Sequence, residues 1–280
     1  MEMLNTKTFE LFDTSERFRD SLRQETSAKV DHEQRVGDER LKNLHLEAPL
    51  KVTYFSDARG RNELICLILA ISKIPFEDGL FNVAEYKKKA STLPFGQLPT
   101  ITIEKTSGTA ETYGQSTAIA RYAAKLGGMY PENDLEAALL QDSVVDSWRD
   151  MLDRFYATVF YYDVVEGKLQ MVMHSRSCRY GLLQKYLKYD LEPMLMRYNR
   201  MLSTSGHRLD NALSTELPSF SDLAMFDLCK TMHRVLPRTQ LYAMMKKYPL
   251  LQKLIDRIEE LEMIKVPKLI KIPSKYYFLR

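Results

Sequence analysis

Three short segments of this chain hold residue types suited to gripping one small anionic thiol: Thr53-Tyr54-Phe55, then Phe95-Gly96-Gln97-Leu98-Pro99-Thr100, then Tyr113-Gly114-Gln115-Ser116. Tyr54 offers a phenol that can donate to a thiolate, and Arg59 and Arg61 just beyond it offer guanidinium groups that favour the anion electrostatically. A free thiol titrates at about pH 8.5, so modest stabilisation makes the anion abundant at neutral pH. Leu98-Pro99 precedes a strand-like run and is a candidate cis X-Pro turn. An extended ligand could pair with the backbone N–H and C=O of Leu98 as an added strand would. Gln115-Ser116 falls where a strand gives way to a helix. The first unpaired N–H groups and the positive end of the helix dipole meet there, which suits a carboxylate.

Each device has a plainer explanation when taken alone. Tyr54 could be a strand aromatic packed in a core, Leu98-Pro99 an ordinary loop proline, and Ser116 a helix cap with no ligand. The joint order and spacing of the three segments raise a binding site above these explanations.

Periodicity supplies the elements that must position them. Leu50 to Phe55 alternates as a half-buried strand. Leu64, Leu67, Ile68 and Ile71 mark one face of a helix from about residue 61, which Ile74-Pro75 ends. An extended piece is expected over 76–82, a short Lys-rich helix over 85–89, and strands over 100–104 and 110–113 around a Ser107-Gly108 turn. Ile119, Tyr122, Ala123 and Leu126 line a further helix that Gly127-Gly128 should terminate. The order is βαβαββα.

After Pro131 the pattern becomes helical with no convincing strand. Val144, Trp148, Met151 and Phe155 form one apolar face, and Leu187, Leu191, Met194, Leu195, Tyr198 and Leu202 another. Helices are also expected over 219–235 and 249–260, with a loop over 203–217. Ser219-Phe220-Ser221-Asp222 has the spacing of a capping box. An α/β domain over 49–131 followed by an all-helical domain over 132–280 is therefore expected. The first 48 residues, highly charged and poor in aliphatics, read as a disordered or loosely helical extension. The tail from Ile264 reads as basic solvated surface.

With 280 residues, 45% apolar content and a net charge of +3, the composition is that of an ordinary soluble globular protein and not of a polyanion binder. No nucleic-acid partner is expected. The sequence has no apolar run of membrane-spanning length and no basic-then-apolar leader, so no membrane association and a cytoplasmic address are expected. Cys66, Cys178 and Cys229 are too widely separated for a disulfide framework, and the five histidines form no paired metal motif, so no metal is expected. Cys66 reads as an inert core thiol.

The chain resembles the glutathione S-transferase family, in its tyrosine-using branch nearest the sigma class that includes glutathione-dependent prostaglandin D synthases. The resemblance is carried by Lys51-Val52-Thr53-Tyr54-Phe55, Arg59-Gly60-Arg61, the run from Ser91 through Pro99, and Gln115-Ser116 through Tyr122. It covers residues 50 to 163, and more weakly the chain to 260. It implies an α/β plus all-α fold, with a thioredoxin-like βαβαββα domain followed by an all-helical C-terminal domain. It further implies glutathione as co-substrate, a small apolar electrophile as second substrate, and a homodimer.

The resemblance also assigns roles. Tyr54 matches the tyrosine that activates the thiol, and Arg61 an arginine that supports it. Gln97, Leu98 and Pro99 match the segment pairing with the cysteinyl backbone, Gln115 and Ser116 the pair holding the γ-glutamyl carboxylate, and Asp150 an aspartate reaching the γ-glutamyl amine of the neighbouring subunit. The family's tryptophan and lysine near the glycyl end align with Tyr86 and Ala90, leaving Lys88 or Lys89 to reach the glycyl carboxylate. Phe55, Leu152, Phe155 and Tyr156, with the terminal Tyr276-Tyr277-Phe278, are candidates for the electrophile pocket. The plainer explanation for the helical members is core packing. The sequence departs from the family in one extra residue between Phe55 and Arg59, and in Arg149 where related sigma enzymes carry an acid. A non-catalytic binding or structural protein and a prostaglandin-type isomerase are the alternatives to a transferase.

Overall fold

The computed structural model describes residues 44, 46–56, 60–105, 108–165, 168–203, 217–236 and 238–261. Most of the N-terminal extension, Asp57, Arg59, Ser107, nearly all of the 203–217 loop and the tail from 262, including Tyr276-Tyr277-Phe278, lie outside the described residues.

The first half follows the expected element order. Strand β1 (Leu50–Phe55) points Leu50 and Val52 inward and Lys51 outward, as its alternation requires. Helix α1 (Glu63–Ile71) buries every residue but Ala70. A helix apolar on all sides needs cover on all sides. It receives it from the sheet half through α3 (Ser116–Leu126) and from the helical half through α7 (Phe220–Val235). Strand β2 (Phe76–Phe81) leads into α2 (Val83–Lys89), which opens with a reciprocal capping box between Asn82 and Glu85. Strands β3 (Thr100–Glu104) and β4 (Ala110–Gly114) complete a four-stranded sheet in the order β2-β1-β3-β4. β1 runs parallel to β2 and antiparallel to β3, and β4 is antiparallel to β3.

The second half is led by α4 (Leu135–Val159), whose start is capped by the Asp134 carboxylate accepting from the Ala137 N–H at 3.0 Å. Helix α5 (Arg176–Tyr186) continues through a π-helical turn at Leu187–Leu191 into α6 (Glu192–Ser203). After α7 come α8 (Arg238–Met245) and α9 (Pro249–Glu260). Trp148, Tyr198, Phe220 and Phe226 are its largest fully buried side chains, in one core continuous with that of the sheet half. The Ser219–Asp222 capping box forms as its spacing predicts, and Asp222 also accepts from the Tyr198 hydroxyl at 3.0 Å. Its role is structural.

The helical half also carries two strands that its periodicity does not announce. Strands β5 (Phe160–Val165) and β6 (Lys168–Met173) form an antiparallel hairpin directly after α4. The apolar face of α4 runs without a break into Phe160-Tyr161-Tyr162, which hides the boundary. The signal was present in the aromatic and β-branched run from Phe160 to Val165, followed by Glu166-Gly167 and then by the alternating Leu169, Met171 and Met173, a pattern that favours a pleated ribbon.

Candidate active site

The sheet register gathers the three candidate segments at one end. Thr53 lies opposite Thr100, and Thr100 lies opposite Gly114. With β3 antiparallel to both neighbours, Tyr54 after Thr53, Pro99 before Thr100 and Gln115 after Gly114 all lie at the same end of the sheet. The Leu98-Pro99 bond is cis. Pro94 and Phe95 pack closely over Gly114, where an added Cβ would stand 3.2 Å from both side chains. The Tyr86 hydroxyl donates to the Gly96 carbonyl at 2.8 Å and its ring stands edge-on to Phe55, so Tyr86 ties α2 to this turn. Gln115 and Gln97 meet through their amides at 3.5 Å.

The start of α3 differs from a capped helix. Gln115, not Ser116, occupies the cap position, with φ 76° and no side-chain hydrogen bond to the first turn. Ser116 is the first helical residue and is buried, so the reading of Ser116 as the cap of this helix does not hold. A non-glycine residue at positive φ costs about 1–3 kcal/mol and persists where surrounding structure enforces it. Here the strain sits beside helix N–H groups that no described side chain caps.

The opposite wall comes from α4. Arg61 pairs with Asp153 of α4 and lies over the Tyr156 ring, 6.0 Å from its centroid. Gly60 clears the space between: a Cβ there would stand 2.7 Å from the Tyr54 hydroxyl and 3.0 Å from the Tyr156 hydroxyl. Both phenols therefore border one methyl-sized space. Of the four pocket candidates, Phe55 and Tyr156 are half-buried, whereas Leu152 and Phe155 are buried in the core, so these two act as packing residues. Asp150 is exposed, with the Arg149 guanidinium 3.9 Å away. Lys88 and Lys89 are exposed on α2, and Lys89 lies over the Phe81 ring at 4.8 Å.

Comparison with known proteins agrees with this geometry. The chain is 38% identical over 144 residues to glutathione S-transferase 4 of Caenorhabditis elegans, covering 49% of this chain and 66% of that protein. It is 37% identical over 105 residues to hematopoietic prostaglandin D synthase of Rattus norvegicus, covering 38% of this chain and 49% of that one. A sigma class GST of Fasciola hepatica shares the fold at a TM-score of 0.63 and 20% identity, over 80% of this chain and 97% of that structure. Over these stretches the chain is similar to glutathione S-transferases in sequence and shares their fold. No family model matches it. The chain spans 66% and 49% of the two curated relatives.

What the structure adds to the sequence reading lies behind Tyr156. Trp148 Nε1 donates to Asp227 Oδ2 at 3.0 Å, and Arg234 Nη2 stands 3.0 Å from Glu63 Oε1, so a buried polar seam joins α1, α4 and α7. Burial, with Glu63 nearby, raises the Asp227 carboxyl to about 7. Burial, then the neighbouring Tyr54 and Asp227, push the Tyr156 phenol up, with Arg61 and Arg234 partly opposing. No local motif reports this seam, because Glu63 and Arg234 stand 171 residues apart and Trp148 and Asp227 stand 79 apart. Gly60 was the one available signal, a glycine between two arginines where a turn or close approach needs the missing Cβ.

Proposed function

We propose that this protein binds glutathione, activates its thiol as the thiolate and transfers it to small apolar electrophiles. The observation that carries the reading is the register Thr53–Thr100–Gly114, which brings Tyr54, Leu98-Pro99 and Gln115-Ser116 to one sheet end. Tyr54 would donate to the thiolate, with the Arg61 guanidinium favouring negative charge nearby. The Leu98 backbone, with Gln97 beside it, would pair with the cysteinyl unit. The uncapped start of α3 at Gln115 and Ser116 would take the γ-glutamyl carboxylate. Tyr86 would shape the turn, and Lys88 or Lys89 would meet the glycyl carboxylate. Phe55 and Tyr156 would face the electrophile. Thiol activation and proximity then supply the catalysis.

A homodimer belongs to the same proposal. Asp150 projects outward, where it would serve a neighbouring copy's site, and Phe95 is held 73% exposed at a φ of 56° beside the Pro94 turn. A domain division at 49–131 and 132–280 and a cytoplasmic location complete it. The test is conjugation of glutathione to 1-chloro-2,4-dinitrobenzene by wild type and Tyr54→Phe. Loss of about tenfold or more in kcat/KM is expected for the variant. Equal activity would remove Tyr54 from the mechanism. Isomerisation of a prostaglandin-type endoperoxide is a second reading, favoured by the similarity to the rat synthase. Turnover of such an endoperoxide without glutathione consumption would select it.

A further inference from the structure

Outside the candidate active site, a nucleophile and a base meet where the β5–β6 hairpin returns to the helices. Cys178 Sγ lies 3.6 Å from His174 Nδ1. The two residues flank the start of α5, and Ser175 between them accepts from the Cys178 N–H at 3.3 Å. His174 is held in two ways. Its N–H donates to the carbonyl of Val159, the last residue of α4, at 3.0 Å. Its ring stacks on Tyr161 of β5, with centroids 4.7 Å apart and planes inclined by 29°. A nucleophile within reach of a base that a third group orients is an arrangement suited to removing the nucleophile's proton. In the tautomer that carries its proton on Nε2, Nδ1 accepts from the thiol.

The three cysteines differ in access. Cys66 and Cys229 are buried, and burial, with Asp227 nearby, pushes the Cys229 thiol up to about 12, whereas Cys178 is exposed. Arg176 and Arg179 share the first turn of α5 with Cys178, and Arg179 Nε is buried without an acceptor among the described residues. An unmet guanidinium donor in the same turn as the thiol favours an anionic partner.

We propose that Cys178, with His174 as its base, is a modification site that forms mixed disulfides with small anionic disulfides such as glutathione disulfide. His174 Nδ1 takes the thiol proton, and Cys178 Sγ attacks one sulfur of the disulfide. The new Sγ–S bond forms as the old S–S bond breaks. The departing thiolate takes the proton from His174 and leaves as a thiol. Cys178 is oxidised, the released half is reduced, and no other oxidant enters. The site does not depend on the transferase reading.

The experiment treats the full chain with glutathione disulfide or with neutral bis(2-hydroxyethyl) disulfide, in wild type, Cys178→Ser and His174→Gln. Intact-mass spectrometry and peptide mapping follow the adducts. A single adduct at Cys178 is expected in wild type, and none in Cys178→Ser. His174→Gln should slow modification about tenfold at pH 7, and the deficit should close above about pH 8.5, where a thiol ionises without help. Loss of fold would act in the opposite direction, exposing all three cysteines and speeding their reaction. Modification of Cys66 or Cys229 in the folded protein as fast as that of Cys178 overturns the proposal. A His174→Gln rate equal to wild type at pH 7 does so too, as does faster reaction with the neutral disulfide than with glutathione disulfide.

Discussion

Arg234 Nη2, in the last turn of α7, stands 3.0 Å from the Oε1 of Glu63, the first residue of α1. The Glu63 side chain is 5% exposed and that of Arg234 28%, so the pair ties the sheet half to the helical half in a partly dry seam. Removing one member of a buried ion pair leaves the other charge desolvated. Arg234→Met is expected to cost about 2–3 kcal/mol, below the full buried-pair range because the guanidinium keeps some water. Urea unfolding at fixed pH reads this as a lowered midpoint with an unchanged slope.

Asp227 sets a pH dependence beside that pair. Its folded carboxyl is raised to about 7 from 3.8, by burial first and Glu63 second. A carboxyl that holds its proton more tightly when folded contributes stability that is fully present below about pH 4 and is lost as pH rises through about 7. Asp227→Asn removes this slope while keeping an acceptor for Trp148. The stability difference, variant minus wild type, should grow by ~2–4 kcal/mol between pH 4 and pH 8. Urea midpoints across that range check it; a difference independent of pH refutes it.

The start of α7 gives a third expectation. The Asp222 carboxylate accepts from the Ser219 N–H and hydroxyl and from the Tyr198 hydroxyl, all in the core of the helical half. Asp222→Ala strands these donors and should cost about 2–4 kcal/mol, whereas Ser219→Ala should cost about 1 kcal/mol. Comparable losses in the two variants would contradict the part given to Asp222.

Gly60→Ala tests the space between the phenols. The residue sits at φ +41° and its new Cβ would stand 2.7 Å from the Tyr54 hydroxyl. Displacing a reacting group by about 1 Å can cost about a hundredfold, so kcat/KM for conjugation should fall by about tenfold to a hundredfold. Stability should drop by only about 1 kcal/mol. An unchanged rate would show that neither hydroxyl needs that space.

The sheet half was legible because each of its elements carries a local pattern: alternation in Leu50 to Phe55, a helical stripe through Leu64 and Ile71, the Ile74-Pro75 break. The hairpin at Phe160 was not, since an apolar helix face and an aromatic strand read alike where they abut. At the site, Tyr54, Leu98-Pro99 and Gln115-Ser116 stood out because each belongs to an element end with its own chemistry. The plainer alternative for Ser116, a helix cap, rested on serine being a good cap, whereas the backbone of Gln115 takes that position at a conformation that residue type alone does not announce. Leu152 and Phe155 were indistinguishable from pocket residues because core and cleft select the same apolar side chains. Tyr156, Asp227 and Arg234 acquire their roles only through contacts between distant segments.

The central claim is that Tyr54 stabilises a bound thiolate. Ultraviolet difference titration of glutathione bound to the protein reads the thiolate directly. With wild type, thiolate absorbance should appear well below pH 8.5, the approximate titration point of a free thiol, and with Tyr54→Phe it should shift back towards that value. Identical titrations for the two proteins, with glutathione bound to both, would contradict the account.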